Sequence, residues 1–315
     1  MKDSDYEYYF TAKQGEFDEK AVRCVRTKVI RAGDSLEIEC YPLLKLNRTQ
    51  QRAAKQEKTK ARQHAVNRRN RRKRVRRLIE ANFTDADYVV HGTFDYGVFD
   101  RGFTSIQDEG ARCERLGLPW DYGDALRDVQ NYVRRVKGRQ RRRDGAEAVK
   151  YIYAVEKTKP LAEGLPGRFH FHMVLHAPGL TRDELERLWR DVQGHGYCNV
   201  DRLDLRHDGA QAIANYITKQ NDARVNTSKN LKQPRVYASD KRLTPAKAAR
   251  IARDAMTDGR RIFEHLYKDY ICTQPGGPEV YFSDFLPGAY IYARLRRRSA
   301  EGGGGALAGR LRAAL

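Results

Sequence analysis

The segment 167–176 constrains the fold more than any other part of the chain, because histidines and bulky apolar residues alternate along it. A period of two is the pattern of a β-strand, in which successive side chains point to opposite faces of the sheet. His170 and His172 are therefore expected on one face, close together. Two neutral imidazoles held side by side can bind a divalent metal, although a pair of hydrogen-bonded core histidines would give the same pattern.

A candidate third ligand follows from the strand predicted just before, over residues 149–156, which are rich in β-branched and aromatic side chains. If the two strands form a hairpin, Glu156 lies beside the histidine pair. Two imidazoles and a carboxylate leave positions open for water and phosphate oxygens, which suits Mg²⁺ or Mn²⁺. An ordinary solvent-facing acid is the alternative for Glu156. His176, four positions beyond His172, is expected to support the strand rather than to bind metal.

A helix predicted over residues 208–220 carries a tyrosine and a lysine three positions apart. Its buried stripe consists of Ala210, Ile213 and Ile217. That stripe places Tyr216 at the edge where the helix meets the sheet. A phenol is a weak nucleophile at neutral pH, and the Lys219 ammonium can favour the phenolate or offset charge in a transition state. The simpler alternative is a half-buried tyrosine with a solvated hydroxyl.

The charge balance indicates a polyanionic partner, since 61 lysines and arginines face 41 acidic residues, a formal net charge of +20. Residues 51–80 hold thirteen basic and two acidic residues and no glycine or proline, which predicts a basic helix with one thin apolar stripe. Pairs within the helix cannot neutralise an excess of one sign, so contact with DNA phosphates is favoured over a merely solvated face. The candidate DNA-binding residues are Arg68, Arg69, Arg71, Arg72, Lys73, Arg74, Arg76 and Arg77.

Other classes are disfavoured by what the sequence lacks. No apolar run approaches the roughly 20 residues that span a bilayer, and the polar first residues do not resemble a signal peptide. The five cysteines are scattered and contain no Cys-x-x-Cys pair, which argues against a disulfide framework or a structural zinc site. A cytoplasmic protein with no membrane partner is the expectation.

The order of the predicted elements, β-α-β-β-α-β-α, indicates an α+β fold with a mainly antiparallel sheet covered by helices. The domains predicted along the chain are a β-hairpin extension (1–50), a basic helix (51–82), an endonuclease-like core (83–235), an accessory α/β region (236–297) and a glycine-rich basic tail (298–315).

Together with a strand motif at 88–96 and a segment at 226–234, these motifs resemble a known family. The chain resembles the rolling-circle replication initiators of the His-hydrophobic-His (HUH) endonuclease superfamily, of the single-tyrosine type encoded by bacterial plasmids and phages. The resemblance covers residues 50–235. It implies a five-stranded antiparallel sheet flanked by helices, with the ferredoxin-like core also found in RNA-recognition motifs.

The same resemblance implies that Tyr216 attacks a DNA phosphodiester, keeps the 5′ phosphate as phosphotyrosine and releases a 3′ hydroxyl that primes synthesis. The implied partners are single-stranded or supercoiled origin DNA and the host helicase and polymerase, in a bacterial cytoplasm. No phosphate-binding loop of the helicase type is found in the sequence. One departure is that the first strand motif carries His91, Gly92 and Asp95 where relatives often have a threonine-rich strand, which leaves open how this strand contacts an origin.

Three other interpretations remain. A single-tyrosine transposase of the same superfamily would share the chemistry, whereas a relaxase usually places its tyrosine ahead of the histidines. A non-catalytic basic nucleic-acid-binding protein would use the sheet only as a platform. A zinc hydrolase with a metal-bound hydroxide nucleophile would need one more histidine ligand and would leave the Tyr-x-x-Lys motif unexplained.

Overall fold

The structure is a computed structural model, and it describes residues 22–44, 60–94, 121–144, 148–159, 167–193, 196–205, 209–219, 224–274, 276–282 and 289–298. The strands within these ranges are β1 (Val22–Ala32), β2 (Ser35–Leu44), β3 (Tyr88–Thr93), β4 (Lys150–Lys157), β5 (Phe169–His176), β6 (Cys198–Arg202), β7 (Val225–Thr227), β8 (Arg235–Leu243), β9 (Tyr270–Cys272), β10 (Glu279–Phe282) and β11 (Ala289–Arg297). The helices are α1 (Lys60–Asn82), α2 (Tyr122–Asp144), α3 (Arg182–Gln193), α4 (Gly209–Ile217) and α5 (Pro245–Leu266).

The chain divides into two compact units. One runs from Arg71 to Lys232, and the other combines the residues up to Asn70 with those from Gln233 onward, so that the division falls inside α1. The Arg71–Lys232 unit contains a five-stranded sheet in the order β6-β3-β5-β4-β7, with every neighbouring pair antiparallel. The predicted α+β class, and the five-stranded antiparallel sheet implied by the resemblance, are both confirmed.

The centre of this sheet is the hairpin of β4 and β5, with β3 on the other side of β5. The register places Glu156 opposite His170 in the hairpin. Across the other ladder, His91 lies opposite His172. Side chains directly opposite each other on neighbouring strands share a face, so these four residues lie on one side of the sheet.

Helices cover both faces of this sheet. On one face α2 and α3 pack through Tyr132 and Trp189 against Phe171 and its neighbours in a buried core. On the other face α1 and α4 pack against Val174 and Ile152 in a second core. Val174 has the same parity along β5 as His170 and His172, so both histidines project toward the α1 and α4 side.

The second unit contains a six-stranded antiparallel sheet in the order β10-β11-β2-β1-β8, with β9 added beside β11. Its β1–β2 hairpin turns at Gly33, whose φ of 58° is readily adopted by glycine. Helix α5 begins after the cap residue Thr244, with Pro245 in its first turn, and packs on this sheet. The hairpin predicted as an extension and the region predicted as accessory therefore share one sheet through the pairing of β2 with β11.

Several expectations concern residues that the structure does not describe. These are the first 21 residues, Asp95 in the first strand motif, and the predicted tail beyond Arg298. Among the described helices, none is both long and apolar enough to cross a membrane.

Candidate active site

Three candidate metal ligands meet at the end of the β4–β5 hairpin. One ligand atom each from Glu156, His170 and His172 lies within 4.8 Å of the other two. The Nε2 atom of His170 is 3.5 Å from an Oε atom of Glu156, and the imidazole centroids of His170 and His172 are 5.0 Å apart. The hairpin register is what places the carboxylate beside the first imidazole, since residues 156 and 170 are directly opposite.

The chemistry of this cluster fits a divalent cation. Glu156 is only 2% exposed, and a carboxylate taken out of water needs a positive partner. Within the part of the chain that the structure describes, the buried Nδ1 atom of His170 has no hydrogen-bond partner. Leaving a buried polar nitrogen unsatisfied costs about 1–3 kcal/mol, and a set of two imidazoles and one carboxylate is a donor set used for Mn²⁺ and related ions.

His91 joins the site from β3, and the sequence analysis did not assign it a role there. Its Nδ1 atom lies 2.6 Å from Nδ1 of His172, with the ring centroids 4.9 Å apart and the rings nearly perpendicular. Only one of these two nitrogens can carry the proton of that hydrogen bond. The bond orients the His172 ring and leaves its Nε2 atom available to bind a ligand.

Burial keeps both of these imidazoles neutral. It lowers the pKa of His172 to about 4, and the nearby imidazoles of His91 and His170 lower it further. The pKa of His91 is also lowered, mainly by burial. A neutral imidazole has the free electron pair that a metal requires, so at neutral pH no proton competes for this position on His172.

Tyr216 lies over the histidines from the last turn of α4. Its ring centroid is 5.6 Å from that of His172 and 6.3 Å from that of His91. The helix is anchored by its buried residues Ala210, Ala214 and Ile217. Tyr216 is nevertheless 53% exposed, so the phenol is beside the metal ligands and also open to a large substrate.

Lys219 lies just beyond α4, which ends at Ile217 rather than at residue 220 as predicted. The backbone N–H of Lys219 donates to the carbonyl of Tyr216 at 3.2 Å. The preceding Thr218 is buried, and its hydroxyl donates to the Ala214 carbonyl at 2.6 Å, which fixes this turn. Lys219 is exposed, and its positive charge contributes to the lowered pKa of His172, so the ammonium is within electrostatic reach of the site.

The arginine cluster of α1 is distributed between surface and interior. Arg68, Arg69 and Arg74 are exposed, and the other members except one are half-buried. The exception is Arg76, which is 3% exposed and donates to the side-chain oxygen of Gln211 on α4 at 2.9 Å. Arg76 thus packs α1 against α4, and we leave it out of the proposed DNA-binding surface.

His176 lies outside the ligand cluster. Its Nδ1 atom is 2.6 Å from a carboxylate oxygen of the buried Asp87. Asp87 also accepts a hydrogen bond from the backbone N–H of Thr84 at 2.7 Å. This contact ties β5 to the chain just before β3, which agrees with a supporting role for His176.

An antiparallel sheet that presents three candidate metal ligands beneath an exposed tyrosine is suited to phosphodiester chemistry. Residues 118–221 match the model of a family described as replication-associated protein ORF2. The matched segment is about a third of the chain and includes the three ligands, Tyr216 and Lys219, but neither His91 nor α1. The match supports a role in the initiation of DNA replication. No curated protein and no solved structure matches the chain.

Proposed function

We propose that this chain initiates replication by nicking one strand of origin DNA, with Tyr216 as the nucleophile. Glu156, His170 and His172 would hold Mg²⁺ or Mn²⁺. The observation that carries the proposal is the position of the Tyr216 ring, 5.6 Å from His172 and therefore directly beside the ligand cluster. The match to a replication-associated family supports the same conclusion.

In this reaction the Tyr216 oxygen attacks the phosphorus of a phosphodiester and loses its proton to solvent. The new bond joins the tyrosine oxygen to the 5′ phosphate, the bond to the 3′ oxygen breaks, and that oxygen takes up a proton to become the 3′ hydroxyl. One ester replaces another, so the step is reversible and permits strand transfer. A bound divalent ion would polarise the phosphate and offset its charge.

Neighbouring residues have supporting roles in this proposal. The Lys219 ammonium offsets negative charge that develops on the phosphoryl oxygens. His91 holds the His172 ring through the hydrogen bond between their Nδ1 atoms. The exposure of Tyr216 allows a DNA strand to reach the phenol, whereas the stacking and geometry of relaxed duplex would keep a phosphate out of line.

The test is a nicking assay on the supercoiled replicon that encodes the chain and on single-stranded DNA from it, with Mn²⁺ or Mg²⁺. We expect wild-type protein to cut both substrates, relaxed duplex to resist, and EDTA to stop the reaction. Tyr216→Phe and His172→Ala should abolish nicking but keep DNA binding. Tyr197→Phe is a matched control, because Tyr197 is also exposed and lies in the same unit. Undiminished nicking by Tyr216→Phe would overturn the proposal.

A zinc hydrolase is a second candidate, because His91 could supply the additional histidine that such an enzyme needs. Its nucleophile would be a metal-bound hydroxide rather than a tyrosine. The same assay separates the two, since a hydrolase would retain cleavage in Tyr216→Phe and would form no covalent link between protein and DNA.

A further inference from the structure

A basic groove lies between α2 and α3, on the face of the five-stranded sheet opposite to the histidines. It encloses about 870 Å³. Five arginines and one acid line it, together with Asn131, Gly138 and Leu188. The charged residues are Arg134, Arg135, Arg139, Arg142, Glu184 and Arg187.

The single acid of the groove is already engaged. Glu184 accepts a hydrogen bond from the backbone N–H of Thr181 at 3.0 Å, as the capping box of α3. Its two oxygens also pair with Arg139 at 3.2 Å and Arg143 at 2.7 Å. Glu184 therefore has no further charge to offset the remaining arginines.

Three arginines of the groove keep their positive charge uncompensated. Arg134 donates to the neutral side-chain oxygen of Asn131 at 2.6 Å, and Arg142 to the backbone carbonyl of Gly138 at 3.2 Å. Among the residues that the structure describes, no carboxylate pairs with Arg134, Arg142 or Arg187. Guanidinium groups presented in this way match phosphate oxygens, to which they can donate two hydrogen bonds at once.

The shape and lining of the groove favour the backbone of duplex DNA. Arg134 and Arg142 are eight positions apart on α2, about 12 Å along the helix, which corresponds to three or four phosphates of one strand. No aromatic side chain lines the groove, whereas proteins that bind single strands commonly stack bases on aromatic rings. Arginines without aromatic partners read phosphates and not bases.

We infer that this groove is a second DNA-binding surface, which holds duplex DNA while a single strand occupies the opposite face. The inference rests on the proposed function only in taking DNA as the partner. It gives the Arg71–Lys232 unit two separate contacts, one for the strand that is cut and one for a neighbouring duplex.

The experiment compares two triple variants of the full chain by fluorescence anisotropy over a range of salt concentrations. The groove variant is Arg134→Ala/Arg142→Ala/Arg187→Ala. The control is Arg127→Ala/Arg141→Ala/Arg190→Ala, which removes the same charge from exposed positions of α2 and α3 outside the groove. The probes are a short duplex and a single strand of the same length, and circular dichroism verifies that both variants are folded.

We expect the groove variant to flatten the slope of log affinity against log salt on duplex by about 2.7, since each lost phosphate contact contributes about 0.9. Its single-strand affinity should match that of the control. Equal duplex slopes for the two variants would overturn the inference, and so would an equal loss on duplex and single strand. Nicking of a single-stranded oligonucleotide is measured separately, so that its absence would count against the proposed function and not against the groove.

Discussion

Replacing Gly92 by alanine is expected to destabilise the protein and to disturb the candidate metal site together. Gly92 lies on β3 directly opposite Phe171, the residue between the two histidines of β5. A Cβ atom at position 92 would lie 2.0 Å from Cε1 and 2.5 Å from Cζ of the Phe171 ring. Glycine inside a strand commonly marks such a close approach.

The ring has no room to move away. Phe171 is completely buried, and its centroid lies 4.8 Å from that of Trp189 and 5.9 Å from that of Tyr132. Forcing an additional carbon into a core packed this closely costs about 1–3 kcal/mol of unfolding free energy. Any shift of β3 or β5 that relieves the clash also moves His91 or His172, so Mn²⁺ affinity should fall with stability.

Urea unfolding and Mn²⁺ titration measure the two effects. Gly138→Ala is the matched control, because its Cβ would meet nothing within 4 Å and alanine in a helix is favoured over glycine by about 0.5–1 kcal/mol. Phe171→Leu should lessen the clash, so that the loss of stability in Gly92→Ala/Phe171→Leu is smaller than the sum of the two single losses. A Gly92→Ala protein as stable as wild type would refute this reasoning.

Three further predictions concern charge. Lys219→Ala should slow nicking by roughly 10²–10³-fold without abolishing it, as for the loss of a typical electrostatic donor, and single-turnover rates would reveal an unchanged step. The pKa of Glu184 is lowered to about 2, mainly by the backbone hydrogen bond from Thr181 and helped by nearby arginines. Its contribution to stability is therefore complete above about pH 4.5 and is lost as the pH falls toward 2, so wild type should lose more stability over this range than Glu184→Gln in urea titrations. A variant of the exposed side of α1 should flatten the salt dependence of DNA affinity, and an unchanged slope would assign these side chains to a solvated face. That variant replaces Arg68, Arg69, Lys73 and Arg74 by alanine.

Local patterns predicted much of the sheet and part of the site. The period of two in 169–176 placed His170 and His172 on one face, and the short connection to the preceding strand led to the pairing with Glu156. His91 could not be assigned in the same way, because β3 pairs with β5 across about 80 residues of chain. Histidine at the centre of the first strand motif was the available signal, and it became meaningful only with the register.

The remaining differences also arise from contacts between distant segments. Arg76 belongs to a run of arginines that locally resembles a solvated surface, and its burial depends on the packing of α4 against α1. The end of α4 at Ile217 depends on the buried Thr218 and its bond to Ala214, which a helical pattern continuing to residue 220 does not reveal. Helix boundaries are set by such local competition more than by periodicity.

The most direct test of the central claim is to identify the residue that becomes attached to DNA. Protein is incubated with single-stranded origin DNA and Mn²⁺, denatured, treated with nuclease and protease, and analysed by mass spectrometry. We predict a nucleotide linked through its 5′ phosphate to the peptide that contains Tyr216, and no such adduct in Tyr216→Phe. A nucleotide on Tyr197 or any other tyrosine, or efficient cleavage with no covalent adduct at all, would contradict the account.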